Sequence, residues 1–339
     1  MTLPLIAVIG AGLIGRRHIE QAIAQAELCA IIDPSNDAAA LAAEVGAPHF
    51  SDLAECLAQL RPDGAVVATP NHLHSEHAVL CLNAGVPLLI EKPIADRLGA
   101  ADVITQTAAR TGVPVLIGHH RRHNPIVRRA KTVIDDGELG EIVAIHGQFW
   151  LYKPDEYFQS AWRKRAGAGP TLINLIHDID LMRYFCGEII EISSMRANRQ
   201  RNQAVEDTAA VILRFANGAL GSFSLSDTIA APLSWEMTSA ENPIYPHRPG
   251  SCYTVGGTLG SLSIPDMKLW SYDGPRSWWH PIDENSLDVR PDDAFALQFS
   301  HFLDVIQGAR PVVDAAEGRA SLAAVLAVLE APLAGRKAP

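Results

Sequence analysis

Three glycines and one aspartate carry the first chemical signal. Gly10, Gly12 and Gly15 form a Gly-x-Gly-x-x-Gly run directly after the apolar segment 5–9, at the head of a helical stretch over 13–26. That placement, more than the bare pattern, gives the run meaning. Gly10 permits a tight turn, Gly12 lets a pyrophosphate approach the backbone, and Gly15 lets helix and strand pack closely. The helix, opening at Leu13 and Ile14, then offers free N–H groups and a positive dipole end to the phosphates. Asp33 ends the next apolar run, and a carboxylate there accepts hydrogen bonds from both ribose hydroxyls while repelling a 2′-phosphate. No arginine follows closely, so the residues favour NAD over NADP. Asp33 could instead open the following helix, but Ser35 is placed to serve as that cap.

Lys92 and His177 could do proton and oxygen chemistry. Lys92 follows the apolar run 86–90 within Glu91-Lys92-Pro93. The carboxyl ends of parallel strands are where open α/β sheets bind ligands. The apolar approach and the rigid Pro93 set this lysine apart from the usual surface lysine. His177 lies early in a helical stretch over 176–185; an imidazole near its unperturbed pKa suits a general base, although a lone histidine there reads first as a cap or core residue. The histidine clusters 72/74/77 and 119/120/123 lack a His-Glu-x-x-His pattern and bring no cysteines, so no metal site is expected. Cys29, Cys56, Cys81, Cys186 and Cys252 are odd in number and widely spaced, which predicts buried thiols and no disulfide framework.

These residues need elements to hold them. Over the first 120 residues, near-continuous apolar runs at 5–9, 28–32, 65–68, 87–90 and 114–117 alternate with helical spacing at 13–26, 37–45, 53–60, 75–84 and 100–111. That alternation predicts a doubly wound α/β domain with a parallel sheet covered on both faces. Beyond Gly118 the pattern changes. A helix is expected over 126–135, and half-exposed strands over 142–150, 191–199, 208–215, 219–226 and 253–264, with Asn217-Gly218 as a hairpin turn. Helices at 176–185, 294–307 and 315–329 complete an α+β second half. One sheet face should be helix-covered and the other open, and open faces often become subunit interfaces. Residues 335–339 are expected to fray. With 48% apolar residues the chain can build real cores, and its net charge of −10 argues against a broad basic face for nucleic acid. No apolar stretch reaches membrane-span length and no leader pattern opens the chain, which predicts a cytoplasmic protein without membrane contact.

Further motifs follow in a fixed order: Ala68-Thr69-Pro70-Asn71-His72-Leu73-His74, Glu91-Lys92-Pro93, the run from Gly118 to Pro125, Gly137-Glu138-Leu139-Gly140, Trp162-Arg163, and Gly167-Ala168-Gly169 leading to His177-Asp178-Ile179-Asp180. With the glycine loop and Asp33, this ordered set resembles the Gfo/Idh/MocA oxidoreductase family across almost the whole chain. The resemblance implies an α/β protein. An N-terminal Rossmann NAD-binding domain over 1–122 would precede a C-terminal domain over 123–339, built on a large, mostly antiparallel open sheet that binds substrate and forms homodimers or homotetramers. It implies substrate between the domains, with Lys92 and His177 catalytic: His177 as acid/base and Lys92 polarising the reacting oxygen, roles that could be exchanged. Thr69, Pro70, Asn71, His74, Glu91, Lys92 and His120 would line the cofactor. Arg122, Trp162, Arg163 and Asn174 would border the substrate; Arg163 could clasp a carboxylate or form a salt bridge. Asp180 would steady the helix or the histidine.

The sequence departs from the family pattern at one place. Many polyol-oxidising relatives carry an aspartate where this chain has Ile173, and the adjacent Asn174 can only hydrogen-bond. The activity implied is NAD-dependent oxidation of a secondary hydroxyl on a small polar, cyclic polyol, sugar or sugar acid. A dihydrodiol or ring-carboxylate dehydrogenase, an NAD-binding sensor without turnover, and an NAD-dependent glycosidase are the alternatives. The polar stretch Trp235-Glu236 with Glu241 to Pro246 reads as a lid or an interface segment.

Overall fold

A computed structural model describes residues 3–164 and 167–334, with the backbone alone at 161, 162, 333 and 334. The expected fraying at 335–339 falls outside these residues. The first half runs β1 (Leu5–Ile9), α1 (Leu13–Gln25), β2 (Glu27–Ile32), α2 (Asn36–Val45), β3 (His49–Phe50), α3 (Leu53–Gln59), β4 (Gly64–Val67), α4 (His74–Asn83), β5 (Leu88–Ile90), α5 (Leu98–Thr111) and β6 (Val115–Ile117). The strands form one parallel sheet in the order β3-β2-β1-β4-β5-β6, the doubly wound Rossmann arrangement. Continuous apolar runs made these strands readable because both sheet faces are covered: Ile6, Val8, Val66, Leu89 and Leu116 are all fully buried. The two-residue β3 is too short to leave any periodicity.

The chain continues as α6 (Pro125–Asp135), β7 (Ile142–Trp150), α7 (Ile176–Cys186), β8 (Ile189–Ala197), β9 (Thr208–Phe215), β10 (Leu220–Ser226), α8 (Trp235–Thr238), β11 (Tyr253–Gly257), β12 (Gly260–Ile264), β13 (Lys268–Ser271), β14 (Asp283–Ser286), α9 (Ala294–Ile306), α10 (Ala315–Glu330) and β15 (Leu333–Ala334). The second sheet, ordered β14-β13-β12-β11-β7-β10-β9-β8-β15 among the described residues, is antiparallel except at β7–β10 and β8–β15. Its strands alternate buried and exposed positions, as on β9, where Ala209, Val211, Leu213 and Phe215 are buried and Ile212 is exposed. One correction concerns 253–264, expected as a single strand. It is the hairpin β11–β12, turning at Thr258-Leu259, with Tyr253 opposite Ile264.

The chain does not divide contiguously at 122/123. Its compact units are residues 3–120 with Phe295–Ala323, and Arg121–Ala294 with residues 324–334. The reason is apolar packing: Phe299, Phe302, Leu303 and Ile306 of α9 join the core of the parallel sheet. Gly64 lies so close to them that a Cβ there would sit 2.5 Å from Ile306 Cδ1.

Candidate active site

In the first unit the glycine loop is shaped by contact. A Cβ on Gly15 would lie 1.9 Å from the Gly10 carbonyl oxygen, and one on Gly10, at φ +94°, would lie 2.7 Å from the Ala68 oxygen. A Cβ on Gly12 would meet nothing within 4 Å, so the backbone there is open to an approaching group. No side chain caps the first turn of α1, and Leu13 and Ile14 are exposed beside it. The cradle therefore fits a dinucleotide pyrophosphate. Asp33 accepts from the Ala11 N–H at 2.9 Å and the Ser35 N–H at 2.9 Å. Burial pulls its carboxyl upward, yet these bonds hold it below the ordinary carboxylate range, so it carries the charge that discriminates against a 2′-phosphate. Ser35 caps α2 through Ala38 N–H, leaving Asp33 to the loop.

Lys92 stands just past β5, half-buried. Its backbone N–H donates to Glu91 Oε2 at 3.1 Å, and Glu91 Oε1 lies 2.8 Å from Nε2 of the fully buried His18 on α1. Burial would raise the Glu91 carboxyl, but the hydrogen bond and charge of His18, with Lys92 behind them, hold it at about 2. The His18 ring packs 4.5 Å from that of Phe295. His74 is fully buried as well: its Nε2 is 2.8 Å from the Thr69 carbonyl and its Nδ1 3.0 Å from the Pro93 carbonyl. The side chains of His74 and Glu91, expected to line the cofactor, thus point into the protein and support the loops carrying Thr69 and Lys92. Thr69, Asn71 and His120 are partly exposed and Pro70 exposed, as lining residues must be.

In the second unit a π-helical turn, Thr171–Leu175, leads into α7 and carries Ile173 and Asn174 just before His177. Irregular turns of this kind recur at functional sites. His177 is 8% exposed; Asn174, three residues earlier in the π-helical turn, is half-buried. Asn174 Oδ1 accepts from Lys153 Nζ at 2.7 Å. Charged pairs fix α7. Arg121 Nη1 donates to Asp178 Oδ1 at 3.1 Å and its Nη2 to Glu236 Oε1 at 2.8 Å, and Tyr253 OH also donates to Asp178. Burial lifts the Asp178 carboxyl to about 6 despite Arg121.

Arg122 makes a two-pronged pair with Asp180, both bonds 2.8 Å and both side chains buried. Asp180 therefore steadies α7, and Arg122, expected beside the substrate, has its planar donor edge turned to a protein carboxylate instead. Arg163 lies 3.8 Å over the Tyr157 ring and donates to the Tyr157 carbonyl at 2.7 Å. The Trp162 side chain lies outside the described residues. The polar stretch from 235 is anchored at Glu236 by Arg121 and at Glu241 by Asn124 Nδ2, 2.7 Å away.

Comparison with known proteins gives the decisive match. An oxidoreductase model with an NAD-binding Rossmann fold matches residues 5–119, and the GFO/IDH/MocA C-terminal domain model matches residues 127–263. This chain belongs to the GFO/IDH/MocA family. It is an NAD-dependent oxidoreductase. An inositol 2-dehydrogenase of Saccharopolyspora erythraea is 28% identical over 98% of this chain and 94% of its own length. A 4-carboxy-2-hydroxymuconate-6-semialdehyde dehydrogenase of a Sphingobium strain is 29% identical over 67% of this chain and 73% of its own. The crystal structure of the WlbA dehydrogenase from Bordetella pertussis, in complex with NADH and UDP-GlcNAcA, superposes with a TM-score of 0.78 at 25% identity, covering 97% of this chain and 96% of that one.

Within this GFO/IDH/MocA chain, sequence reasoning misses His18 and Lys153. His18 sits on the buried stripe of α1 with Gly15, Ile19 and Ala22; a histidine on an apolar helix face was the available signal. Lys153 precedes Pro154 in a segment without periodicity, and its sequence carries no comparable signal. No described helix is long and apolar enough to cross a membrane.

Proposed function

We propose that this oxidoreductase oxidises a secondary hydroxyl of a small, polar, cyclic polyol, sugar or sugar acid. The supporting observation is the setting of Lys92: a lysine at the carboxyl end of β5, its backbone clamped by a carboxylate that a buried histidine holds in turn. The inositol dehydrogenase and the WlbA structure with its sugar-nucleotide ligand support the substrate class. Bound NAD supplies the hydride acceptor. The Lys92 side chain donates to the reacting oxygen and steadies its developing charge, and the imidazole of His177 takes the hydroxyl proton. Arg121–Asp178 and Arg122–Asp180 keep α7, and so His177, in place.

The test is NADH formation with NAD, then NADP, against cyclic polyols, aldoses, sugar acids and dihydrodiols. Turnover with NAD should fall by about 10²- to 10⁴-fold in Lys92→Ala and in His177→Ala. Tight NAD binding with no turnover across the panel overturns the reading.

The open face of the second sheet fits a second copy of this chain. Met195, Ile212 and Leu220 lie on one face by strand register and are 78%, 54% and 48% exposed. Ile212→Glu should lower the mass measured by light scattering; a wild-type monomer sinks this assignment.

A further inference from the structure

The second unit holds a cation that the chemistry above does not use. Lys153 follows β7 and is only 8% exposed. One of its three donors goes to Asn174 Oδ1. Asp227 forms an ion pair with it at 3.7 Å and also accepts from Arg201 Nε at 2.9 Å, so one carboxylate serves two cations. Two aromatic rings also face the ammonium: the ring centres of Tyr157 and Phe149 lie 5.0 and 5.9 Å away. A second cation, Arg163, sits on the same Tyr157 ring. Tyr157, Arg163 and Asn174, which surround this cation, are all half-buried.

A buried cation is costly unless fully paired. Here burial outweighs the help of Asp227 and Glu236 and draws the Lys153 amine below its ordinary range. The segment 170–176, Pro-Thr-Leu-Ile-Asn-Leu-Ile, brings no acid to complete the pair. Asn174, three residues before His177, orients the ammonium without neutralising it. Asp227 is shared with Arg201, and an anion bound beside Asn174 would complete the pairing of Lys153.

We infer that Lys153, oriented by Asn174, anchors a carboxylate of the substrate, which makes this chain a dehydrogenase of hydroxylated acids rather than of neutral polyols. The inference rests on the proposed function and narrows it. A carboxylate here gains a charge-assisted hydrogen bond from Lys153 and the field of Arg163, while a neutral hydroxymethyl group in its place leaves the ammonium under-compensated.

Paired probes test this. NADH formation is measured with D-glucuronate against D-glucose and D-galacturonate against D-galactose, and read as the acid-to-neutral ratio of kcat/KM. The wild-type ratio should favour the acids, and Lys153→Met should lower it by roughly 10- to 100-fold, the span of a charge-assisted hydrogen bond. Asn174→Asp, which supplies Lys153 with a protein carboxylate, should lower it similarly, and Lys153→Arg should restore most of it. NADH fluorescence titration checks that the variants fold. A wild-type preference for the neutral sugars, or a ratio unmoved by Lys153→Met, overturns the anchor and leaves the dehydrogenase reading standing. If no probe turns over, that reading falls, and calorimetric titration with the two uronates decides the anchor alone: binding lost in Lys153→Met supports it, and no wild-type binding overturns it.

Discussion

The two units secure their chemical residues by different means. Around Lys92, main chain does most of the holding: a glycine turn with no room for a Cβ, a strand end, and two buried histidines that tie loops through carbonyls and one carboxylate. Around His177, charged side chains do it. Arg121 and Arg122, just beyond β6, reach acids on α7 and α8 that lie 57 to 115 residues further along the chain. Backbone placement is rigid and tolerates little added volume. Ion-pair placement tolerates volume but depends on charge state and on every partner being present.

This contrast can be broken most forcefully at Asp178. Asp178→Ala leaves the buried Arg121 without one of its two carboxylates and should cost about 3–5 kcal/mol of stability by denaturant titration; a cost near zero would mean that α7 is held by apolar packing alone. On the other side, Gly15→Ala forces a Cβ against the Gly10 carbonyl. It should cost about 1–3 kcal/mol in stability and weaken NADH binding in fluorescence titrations, and unchanged binding would show that the loop gives way. Asp33→Asn should narrow the preference for NAD over NADP by roughly tenfold in kcat/KM, since only the charge is lost.

The smallest effects lie in pH dependence and have opposite signs in the two units. Glu91 is held at about 2, below its ordinary 4.5, so its contribution is complete above pH 4.5 and is lost as pH falls toward 2. Asp178 is raised from 3.8 to about 6, so the folded state binds its proton more tightly, and stability from this group declines as pH rises from about 4 to 6. Denaturant midpoints measured from about pH 2 to about pH 6 should lose the first slope in Glu91→Gln and the second in Asp178→Asn. Identical profiles in either variant would remove that group from the contrast.

How much of this was legible depended on how local the cause was. The Rossmann strands and helices stand within two residues of their expected bounds because continuous apolar runs and the glycine turn are local signals. The short strands β3, β13 and β14 left no pattern, and the glycines at 256, 257 and 260 that flank the turn at Thr258-Leu259 were read as part of one continuous strand over β11 and β12. The π-helical turn before α7 looks in sequence like an ordinary helix entrance. For the site, residue types marked Gly10, Asp33, Lys92 and His177, but the facing of His74 and Glu91 and the pairing of Arg122 could not be read.

The sequence by itself determined the doubly wound domain, the dinucleotide cradle and the choice of NAD, because each rests on backbone sterics or charge within a few dozen residues. Only the tertiary structure decided that α9 returns to the first core, that His18 stands behind Glu91, and that Lys153 meets Asn174. Those partners are brought together by chain closure, and a side chain's type does not say which distant partner will satisfy it.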